Sequence, residues 1–408
     1  MGWSDLAAGI GAQLAGPGAV KRLETELASH FGVRHCFLVG SGKAALAVIL
    51  LALKDLHPNR DEIVVPAYTC YSVPSSVLRA GLKVRLCDLG PDGLDLDPAQ
   101  LSAALAGSER ILAVVPTHLY GIAADVARVR QLVGQRPVAI VEDAAQAMGE
   151  ATGSGLLGTL GDAGFFSLGR GKAFSTVEGG VIVTNRDDLA AALRARVDAL
   201  PGYGSWALIA LAAKAAALVA LLHPLLFWIP RSLPFLRLGE TLFEPGFPLR
   251  RLSAFQAGLA RNWQRRLEAM QAIRRRNAQR WLDVLKDLGE REPRIARAAC
   301  PAAVRFPLRV RDAERRAALL RESAHDGAGI APGYPQPLNR LAELRDAVPA
   351  QDCPAAERTA RELVTLPTHG YVAEGDIERV RRLLHRTFAA DHAAAAQTRA
   401  HDSRTHRA

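Results

Sequence analysis

Short apolar segments alternate with alanine- and leucine-rich segments through the first half of the chain, and this alternation strongly limits the folds available to it. Each apolar segment has the length and the β-branched or aromatic content of a buried strand. Strands that alternate with helices predict an α/β fold with a largely parallel, doubly wound sheet and helices on both faces. The predicted strands are 36–39, 62–65, 83–87, 111–116, 138–143, 163–168 and 180–184.

Chemically distinctive residues follow three of these predicted strands. Ser41-Gly42-Lys43 opens a helix after the first strand, Asp143 ends the fifth, and Lys172 lies on a glycine-rich turn after the sixth. Ligands of such sheets bind beyond the carboxyl ends of the strands. A glycine turn at a helix start can hold a phosphate, a carboxylate can keep a pyridine nitrogen protonated, and a lysine can form a Schiff base. Together they predict a site for pyridoxal 5'-phosphate (PLP).

The composition is that of an ordinary globular protein. The chain has 408 residues, of which 49% are hydrophobic and 23% charged, enough for a large core and a second, smaller domain. Its five cysteines are odd in number and lack CxxC spacing, which argues against a disulfide framework and a zinc site. We therefore expect no metal. The first residues lack the pattern of a signal peptide, and we expect a cytoplasmic protein.

The net charge of +10 is unevenly distributed. Much of the excess lies between Arg250 and Arg280 and in the last residues. A basic helix can meet nucleic acid, an anionic membrane or anionic substrates, but it is more often a solvated face. Since no nucleic-acid-binding motif accompanies it, we expect no nucleic-acid partner.

The sequence predicts a division into two domains and a tail. Residues 1–252 form the large PLP-binding domain, in which 1–20 are a loose arm before a helix at 20–31. Residues 253–386 form a connecting helix at 253–288 and a small α/β domain. The polar residues 387–408 are predicted to be a disordered tail.

A hydrophobic insertion is predicted at about residues 200–246. Its apolar run from Trp206 to Trp228 contains Lys214 and is interrupted by Pro224. A membrane-spanning helix needs roughly 20 uninterrupted apolar residues, so we do not expect one here. Residues 206–238 are instead expected to dip into the inner face of a membrane, or to pack on the protein itself or across a dimer.

Several ordered motifs resemble the DegT/DnrJ/StrS family of PLP-dependent aminotransferases, which act on nucleotide-linked keto-sugars. The resemblance covers most of residues 20–386 and implies fold type I, the aspartate aminotransferase fold, with a mostly parallel large domain and a small α/β C-terminal domain. The motifs are at 61–69, 117–121, 142–147, 167–172 with 178–180, 251–257 and 366–369.

The resemblance implies roles for individual residues. Lys172 would form the Schiff base and move the proton during transamination. Asp143 would pair with the pyridinium nitrogen, although a helix N-cap has the same local sequence, and Gln146 would face the ring oxygen. Ser167 and the Gly42, Lys43 and Ala44 backbone would hold the phosphate. The substrate would contact His118, Tyr120 and Arg251.

The chain departs from the family pattern at three positions. Lys43 replaces a threonine of the phosphate loop, and Leu249-Arg250 replaces an asparagine that reaches the phosphate of the partner subunit. We expect the cations Lys43 and Arg250 to substitute for these ligands. Cys70 replaces the aromatic residue that stacks on the ring. Tyr71 or His118 could stack instead, and His118 could equally be a packed core histidine.

These features predict a homodimeric enzyme that transfers an amino group to a keto group of a nucleotide sugar during glycan biosynthesis, with glutamate, the most frequent donor in this family, as the expected donor. Relatives that use PLP for dehydration replace the lysine, usually with histidine, and Lys172 argues against that alternative. A non-catalytic regulatory or membrane-scaffold protein with the same fold is the other alternative.

Overall fold

The computed structural model describes residues 1–91, 93–221, 242–288, 294–295, 302–348 and 350–388. Its main element is a seven-stranded sheet with the strand order β1-β9-β8-β5-β4-β2-β3. Five of the strands run parallel through successive neighbours, and β9 is antiparallel to both β1 and β8. The large strands are β1 (His35–Val39), β2 (Glu62–Pro66), β3 (Lys83–Cys87), β4 (Ile111–Val114), β5 (Ala139–Asp143), β8 (Ala163–Ser167) and β9 (Gly180–Thr184).

Two further sheets complete the strand inventory of the described residues. A two-stranded hairpin is formed by β6 (Ala151–Thr152) and β7 (Gly155–Leu156). An antiparallel sheet near the C-terminus has the order β10-β11-β13-β12. Its strands are β10 (Arg294–Ile295), β11 (Arg305–Arg309), β12 (Ala331–Pro332) and β13 (Leu363–Pro367).

Helices cover the large sheet and connect it to the smaller one. The first eight are α1 (Trp3–Ala15), α2 (Gly18–Phe31), α3 (Gly42–Leu56), α4 (Ser72–Arg79), α5 (Pro98–Gly107), α6 (Val126–Val133), α7 (Asp187–Ala199) and α8 (Ser205–Leu221). The later ones are α9 (Ala254–Leu259), α10 (Trp263–Asp287), α11 (Ala313–Asp326), α12 (Pro354–Glu362) and α13 (374–388).

The predicted α/β fold is confirmed, including all seven strands of the large sheet. The inner strands β2, β4, β5 and β9 are almost fully buried, because helices shield both faces of a parallel sheet, whereas the edge strand β3 is partly exposed. The core of the large sheet also includes side chains from residues 338–363, between the strands of the smaller sheet. This segment therefore joins the C-terminal part of the chain to the core of the large sheet, whereas the smaller sheet has an apolar cluster of its own.

The predicted loose arm at residues 1–20 is wrong. Helix α1 packs closely on α9, and two glycines permit the approach. A Cβ on Gly9 would lie 3.0 Å from the Phe255 ring, and a Cβ on Gly258 would lie 2.5 Å from the Ala8 carbonyl oxygen. Because glycine lowers helix propensity, the sequence signal for α1 is weak, and packing stabilises the helix instead.

The predicted single helix at 253–288 is interrupted. Ser253 caps α9 by accepting a hydrogen bond from the Gln256 backbone, and α9 ends at Leu259. Asn262 then adopts a left-handed conformation with φ 55° before α10 begins at Trp263. Asparagine tolerates this conformation better than most residues, so the chain changes direction there without glycine.

The described part of the hydrophobic insertion is α8. Leu211 and Ala215 are buried against α9 and its surroundings, whereas Trp206 is 84% exposed and Ile209 is 57% exposed. Within the described ranges, no helix is long and apolar enough to cross a membrane. The rest of the predicted membrane hairpin and the predicted tail beyond residue 388 lie outside the described residues.

Candidate active site

The start of α3 and the end of β8 form a narrow cradle. Ser41 caps α3, with its Oγ accepting a hydrogen bond from the Ala44 N–H at 3.1 Å. The preceding N–H groups, of Gly42 and Lys43, lie in the first turn, where a helix offers no acceptor of its own. A Cβ on Gly42 would lie only 2.8 Å from the Ser167 Cβ. The cradle thus presents backbone donors and a serine hydroxyl, which suit a phosphate. Ala44 contributes less than predicted because its N–H is already capped.

The side chain of Lys43 contacts other protein groups and is not directed at a phosphate in the cradle. Its Nζ lies 2.7 Å from Glu244 Oε2 and 4.9 Å from the centroid of the Phe247 ring. We expected this ammonium to replace a neutral phosphate ligand. The structure instead pairs it with a carboxylate, and only the Lys43 backbone belongs to the cradle.

Arg250 also has partners within its own chain. Its guanidinium lies 5.1 Å from the centroid of the Tyr203 ring, and its carbonyl accepts a hydrogen bond from the Gly40 N–H at 2.8 Å. Arg251 is exposed and forms a β-bridge with Val39. The segment thus runs beside β1 next to the cradle, but the Arg250 side chain stacks on Tyr203 in this chain.

Asp143 ends β5 and is 6% exposed. Its Oδ1 accepts a hydrogen bond from the Ala145 N–H at 3.1 Å, and its backbone bridges to Thr117. A turn follows, so the alternative role as a helix N-cap does not apply. Burial raises the pKa of the Asp143 carboxyl, while the Ala145 N–H and the charge of Lys172 oppose that rise.

Lys172 lies on the turn after β8, and burial lowers the pKa of its amino group. The charges of Cys70 and Asp143 act in the opposite direction, and that of Arg274 reinforces the lowering. The Asp143 charge therefore acts on the Lys172 amine. A lysine whose pKa is lowered is neutral more often and can attack a carbonyl group.

His118 is fully buried beneath the site and bonded at both ring nitrogens. Its Nδ1 accepts a hydrogen bond from the Ala124 N–H at 3.0 Å, so the proton is assigned to Nε2, which donates to Glu142 Oε2 at 2.8 Å. This is the packed core histidine, one of the two alternatives left open by the sequence. The expected substrate contact of His118 does not fit because neither ring nitrogen is free, and the expected stacking does not fit because the ring is 0% exposed.

A group of tyrosines surrounds Gln146. The Gln146 Oε1 accepts from the Tyr120 N–H at 2.9 Å, and its Nε2 donates to the Tyr334 hydroxyl at 3.0 Å. Tyr120 stacks on Tyr334 with ring centroids 6.3 Å apart. Both the oxygen and the nitrogen of the Gln146 amide therefore have hydrogen-bond partners in the protein. Its expected contact with a ring oxygen of the cofactor would require one of these bonds to break.

Tyr71 belongs to the same group of tyrosines and is hydrogen-bonded to the loop that follows β12. Its hydroxyl donates to the Gln336 carbonyl at 3.0 Å and accepts from the Gln336 N–H at 3.1 Å. Its ring centroid lies 6.2 Å from that of Tyr334. Residues 334–336 thus close one side of the site.

The residues present fit PLP. Two buried hydroxyl oxygens at this end of the sheet, Thr69 Oγ1 and Thr117 Oγ1, have no hydrogen-bond partner among the described residues. Buried hydroxyls are normally paired, so these two suit a polar ligand. The cradle of Gly42 and Ser167 is too narrow for an additional side chain, which suits the close approach of a phosphate.

The model of the DegT/DnrJ/EryC1/StrS aminotransferase family matches residues 11–385. The chain therefore belongs to this family, as its motifs predicted, and the predicted cofactor is that of the family.

Curated relatives match over a shorter stretch. The chain is 35% identical over 175 residues to GDP-perosamine synthase from Caulobacter vibrioides, covering 43% of this chain and 46% of the relative. It is 34% identical over 172 residues to a pleiotropic regulatory protein from Geobacillus stearothermophilus, covering 42% and 45%. The chain thus spans less than half the length of the curated relatives that it matches.

The fold is similar along almost the whole chain to a solved structure. This is GDP-4-keto-6-deoxy-D-mannose-3-dehydratase from E. coli with bound hydrated PLP. The TM-score is 0.74 at 20% identity, covering 94% of this chain and 97% of the other. The predicted fold type I is confirmed.

Sequence reasoning missed three residues of the site. Tyr334 follows β12 and accepts a hydrogen bond from Gln146. Tyr203 donates to the Glu178 carboxylate at 2.9 Å. Arg274 on α10 donates to the Lys172 carbonyl. The motif around Glu178 was recognised, but nothing in the sequence indicated its partner.

Proposed function

We propose that the protein is a PLP-dependent aminotransferase that moves an amino group, from a donor such as glutamate, to a keto group of a nucleotide-linked sugar. The observation that carries this proposal is geometric: Asp143 ends β5, and the paired strand β8 ends at Ser167 in the cradle, just before the Lys172 turn. An acid, an amine and a phosphate cradle at one sheet edge are the groups that PLP chemistry requires.

Each residue has a distinct task in this proposal. When bound, PLP supplies an electron sink that stabilises negative charge at the carbon losing its proton. Asp143 holds a positive charge at the ring nitrogen, and the N–H groups of Gly42 and Lys43 with Ser167 bind the phosphate. Lys172 is the base that takes the proton from one carbon and returns it to another, which its lowered pKa favours.

A cluster of buried tyrosines lies beside Gln146. Tyr71, Tyr120 and Tyr334 are packed against each other, and Tyr71 is 4% exposed. We propose that this cluster forms the wall against which the ring and the sugar bind, with Tyr120 and Arg251 toward the sugar.

Amination of a panel of keto-sugar nucleotides with glutamate as donor tests the function. The expected result is a glutamate-dependent amino sugar, and borohydride reduction of the protein with PLP is expected to attach the cofactor to Lys172. Lys172→Ala is expected to lose both, while Lys214→Ala on exposed α8 keeps them. Cofactor attached to another lysine would contradict the assignment.

The same experiment separates the alternatives. A dehydratase would consume the keto-sugar without incorporating the amino group of glutamate. A regulatory or scaffold protein would bind neither PLP nor sugar, or would bind PLP without turnover. Lys172 favours the aminotransferase over the dehydratase, because a lysine at this position can move the proton during transamination and the dehydratase relatives replace it.

We further propose a homodimer in which the segment at Arg250 and Arg251 contributes to the partner's site, since Arg251 is exposed beside the cradle. Equal amounts of Lys172→Ala and Arg251→Ala proteins, each inactive alone, would then regain about a quarter of wild-type activity after mixing, because half the dimers carry one intact site. A fully active monomer by light scattering would contradict this.

We also propose that α1 and α8 contact the inner face of a membrane. Trp3 is 64% exposed and Trp206 is 84% exposed, and tryptophan favours bilayer interfaces. Flotation with anionic vesicles is the test, with a double variant Trp206→Ser and Ile209→Ser as the comparison. Wild-type protein that stays in the soluble fraction, or a double variant that floats equally well, would contradict the contact.

A further inference from the structure

Arg274 holds the backbone of the Lys172 turn from the opposite side of the site. It lies on α10, is 7% exposed, and donates from Nη2 to the Lys172 carbonyl at 2.9 Å and to the Gly171 carbonyl at 3.1 Å. A buried guanidinium that bonds two adjacent carbonyls fixes their peptide plane, because each charge-assisted bond is stronger than a neutral one.

The position of Arg274 on its helix is also fixed. Asn277, one turn further along α10, donates from Nδ2 to the carbonyls of Thr368 and His369 at 3.1 and 3.0 Å. Since residues three apart lie on one face of a helix, the same face of α10 contacts the Lys172 turn and the turn after β13. The Asn277 bonds therefore fix the turn of α10 from which the Arg274 side chain extends.

Turns on glycine are otherwise easily displaced. Gly171 has φ 74° and Arg170 beside it is exposed, so the turn has few contacts of its own. Its other backbone bonds are long: the Lys172 N–H lies 3.4 Å from the Gly169 carbonyl, and the Gly169 N–H lies 3.3 Å from Ser167 Oγ. Arg274 is thus the main constraint on where the lysine side chain begins.

We propose that Arg274 is a positioning residue that acts on the reaction through Lys172, by fixing the backbone from which the lysine reaches the cofactor and by placing a permanent positive charge beside its amine. The inference rests on the role proposed for Lys172. It assigns no direct contact between Arg274 and cofactor or substrate.

The charged groups around the pair determine the expected direction. Cys70, Asp143 and Arg274 act on Lys172, and Glu150 and His369 face Arg274. Burial lowers the pKa of the Lys172 amine most, and the Arg274 charge lowers it further. Replacing Arg274 with a neutral residue should therefore raise the pH at which the amine becomes reactive.

The test uses the full chain without cofactor. Trace acetylation of Lys172 is followed against pH by mass spectrometry, and amide hydrogen exchange is measured over residues 169–178. Arg274→Met is compared with Arg276→Met, the same change two residues along on an exposed position of α10. Arg274→Lys retains the charge without the planar pair of donors.

In Arg274→Met we expect the midpoint of Lys172 acetylation to rise toward the ordinary lysine value, and exchange in 169–178 to become faster by about tenfold. Arg276→Met should leave both unchanged, and Arg274→Lys should keep the low midpoint but not the slow exchange. If Arg274→Met does not fold, Arg274→Gln, which retains a neutral donor, is expected to show the raised midpoint.

An Arg274 variant with a wild-type midpoint and wild-type exchange would overturn the proposal, as would an equal effect of Arg276→Met. Because both readouts come from the protein without cofactor, they hold or fail independently of whether a sugar is aminated. A failed amination assay with the expected midpoint shift would contradict the proposed function and leave the positioning role standing.

Discussion

The Cβ of Ser167 lies 2.8 Å from the point that a Cβ on Gly42 would occupy, which brings the end of β8 against the first residue of α3. Real Cβ atoms do not approach other atoms so closely, so this contact requires glycine. The cradle therefore depends on the absence of one carbon atom.

We predict that Gly42→Ala separates α3 from β8, destabilises the protein by about 1–3 kcal/mol and weakens its affinity for PLP. Urea unfolding and absorbance titration with PLP measure the two effects. Gly107→Ala, at a helix end with open space around it, is the control and should change neither. Unchanged PLP affinity in Gly42→Ala would show that the phosphate binds elsewhere.

Lys43→Met should leave the affinity for PLP within about threefold of wild type, because the Lys43 ammonium is paired with Glu244, and partly exposed pairs contribute about 0–1 kcal/mol. Ser167→Ala, which removes a hydroxyl from the cradle, should weaken the affinity more. Titration of both variants at two salt concentrations is the measurement. A large loss of PLP affinity in Lys43→Met but not in Ser167→Ala would show that the Lys43 side chain does bind the phosphate.

The stability difference between wild type and Lys172→Met should depend on pH. Burial lowers the pKa of Lys172 in the folded protein below its ordinary value of 10.5, so between these two values the unfolded chain binds more protons. Stability then rises with pH in that window. The free energy of unfolding of wild type should accordingly increase relative to that of Lys172→Met as pH rises from the lowered pKa to about 10.5. Urea unfolding across this range checks the slope, and a constant difference would contradict it.

Glu142→Ala should destabilise the protein by about 3–5 kcal/mol, since it leaves several buried N–H donors, including that of His118, without an acceptor, and each such loss costs about 1–3 kcal/mol. The Glu142 carboxylate also accepts hydrogen bonds from the N–H groups of Gly158, Leu160 and Gly161. Exposed Glu109→Ala is the matched control and should stay within about 0.5 kcal/mol of wild type. Free energies from urea unfolding decide, and a loss no larger than that of the control would refute the structural role.

The sequence predicted those parts of the site that follow from local pattern. Strand ends could be placed from apolar periodicity, and parallel strands bring their carboxyl ends to one edge, so Asp143 and Lys172 could be assigned to a common site. Motif spacing added Gly42 and Ser167. Each of these residues owes its position to the strand beside it.

Residues whose position depends on distant packing could not be predicted. Arg274 and Tyr334 are far along the chain from Lys172 and Gln146, and nothing in their neighbourhood indicates the direction of their side chains. Lys43 and Arg250 were identified as cations near the cradle, but their partners Glu244 and Tyr203 are brought there by the fold of the segments on either side of α8.

The attachment of α10 to the Lys172 turn has a consequence for recombination between family members. A chimera that joined residues 1–252 of this chain to the C-terminal part of a relative would replace Arg274, Tyr334 and the apolar side chains of 338–363 together. Even if every proposed catalytic side chain were retained, the Lys172 turn would pack against a helix from a different protein and lose its contact with Arg274. The Lys172 turn keeps the contacts described above only if α10 and the strand before the turn come from the same parent.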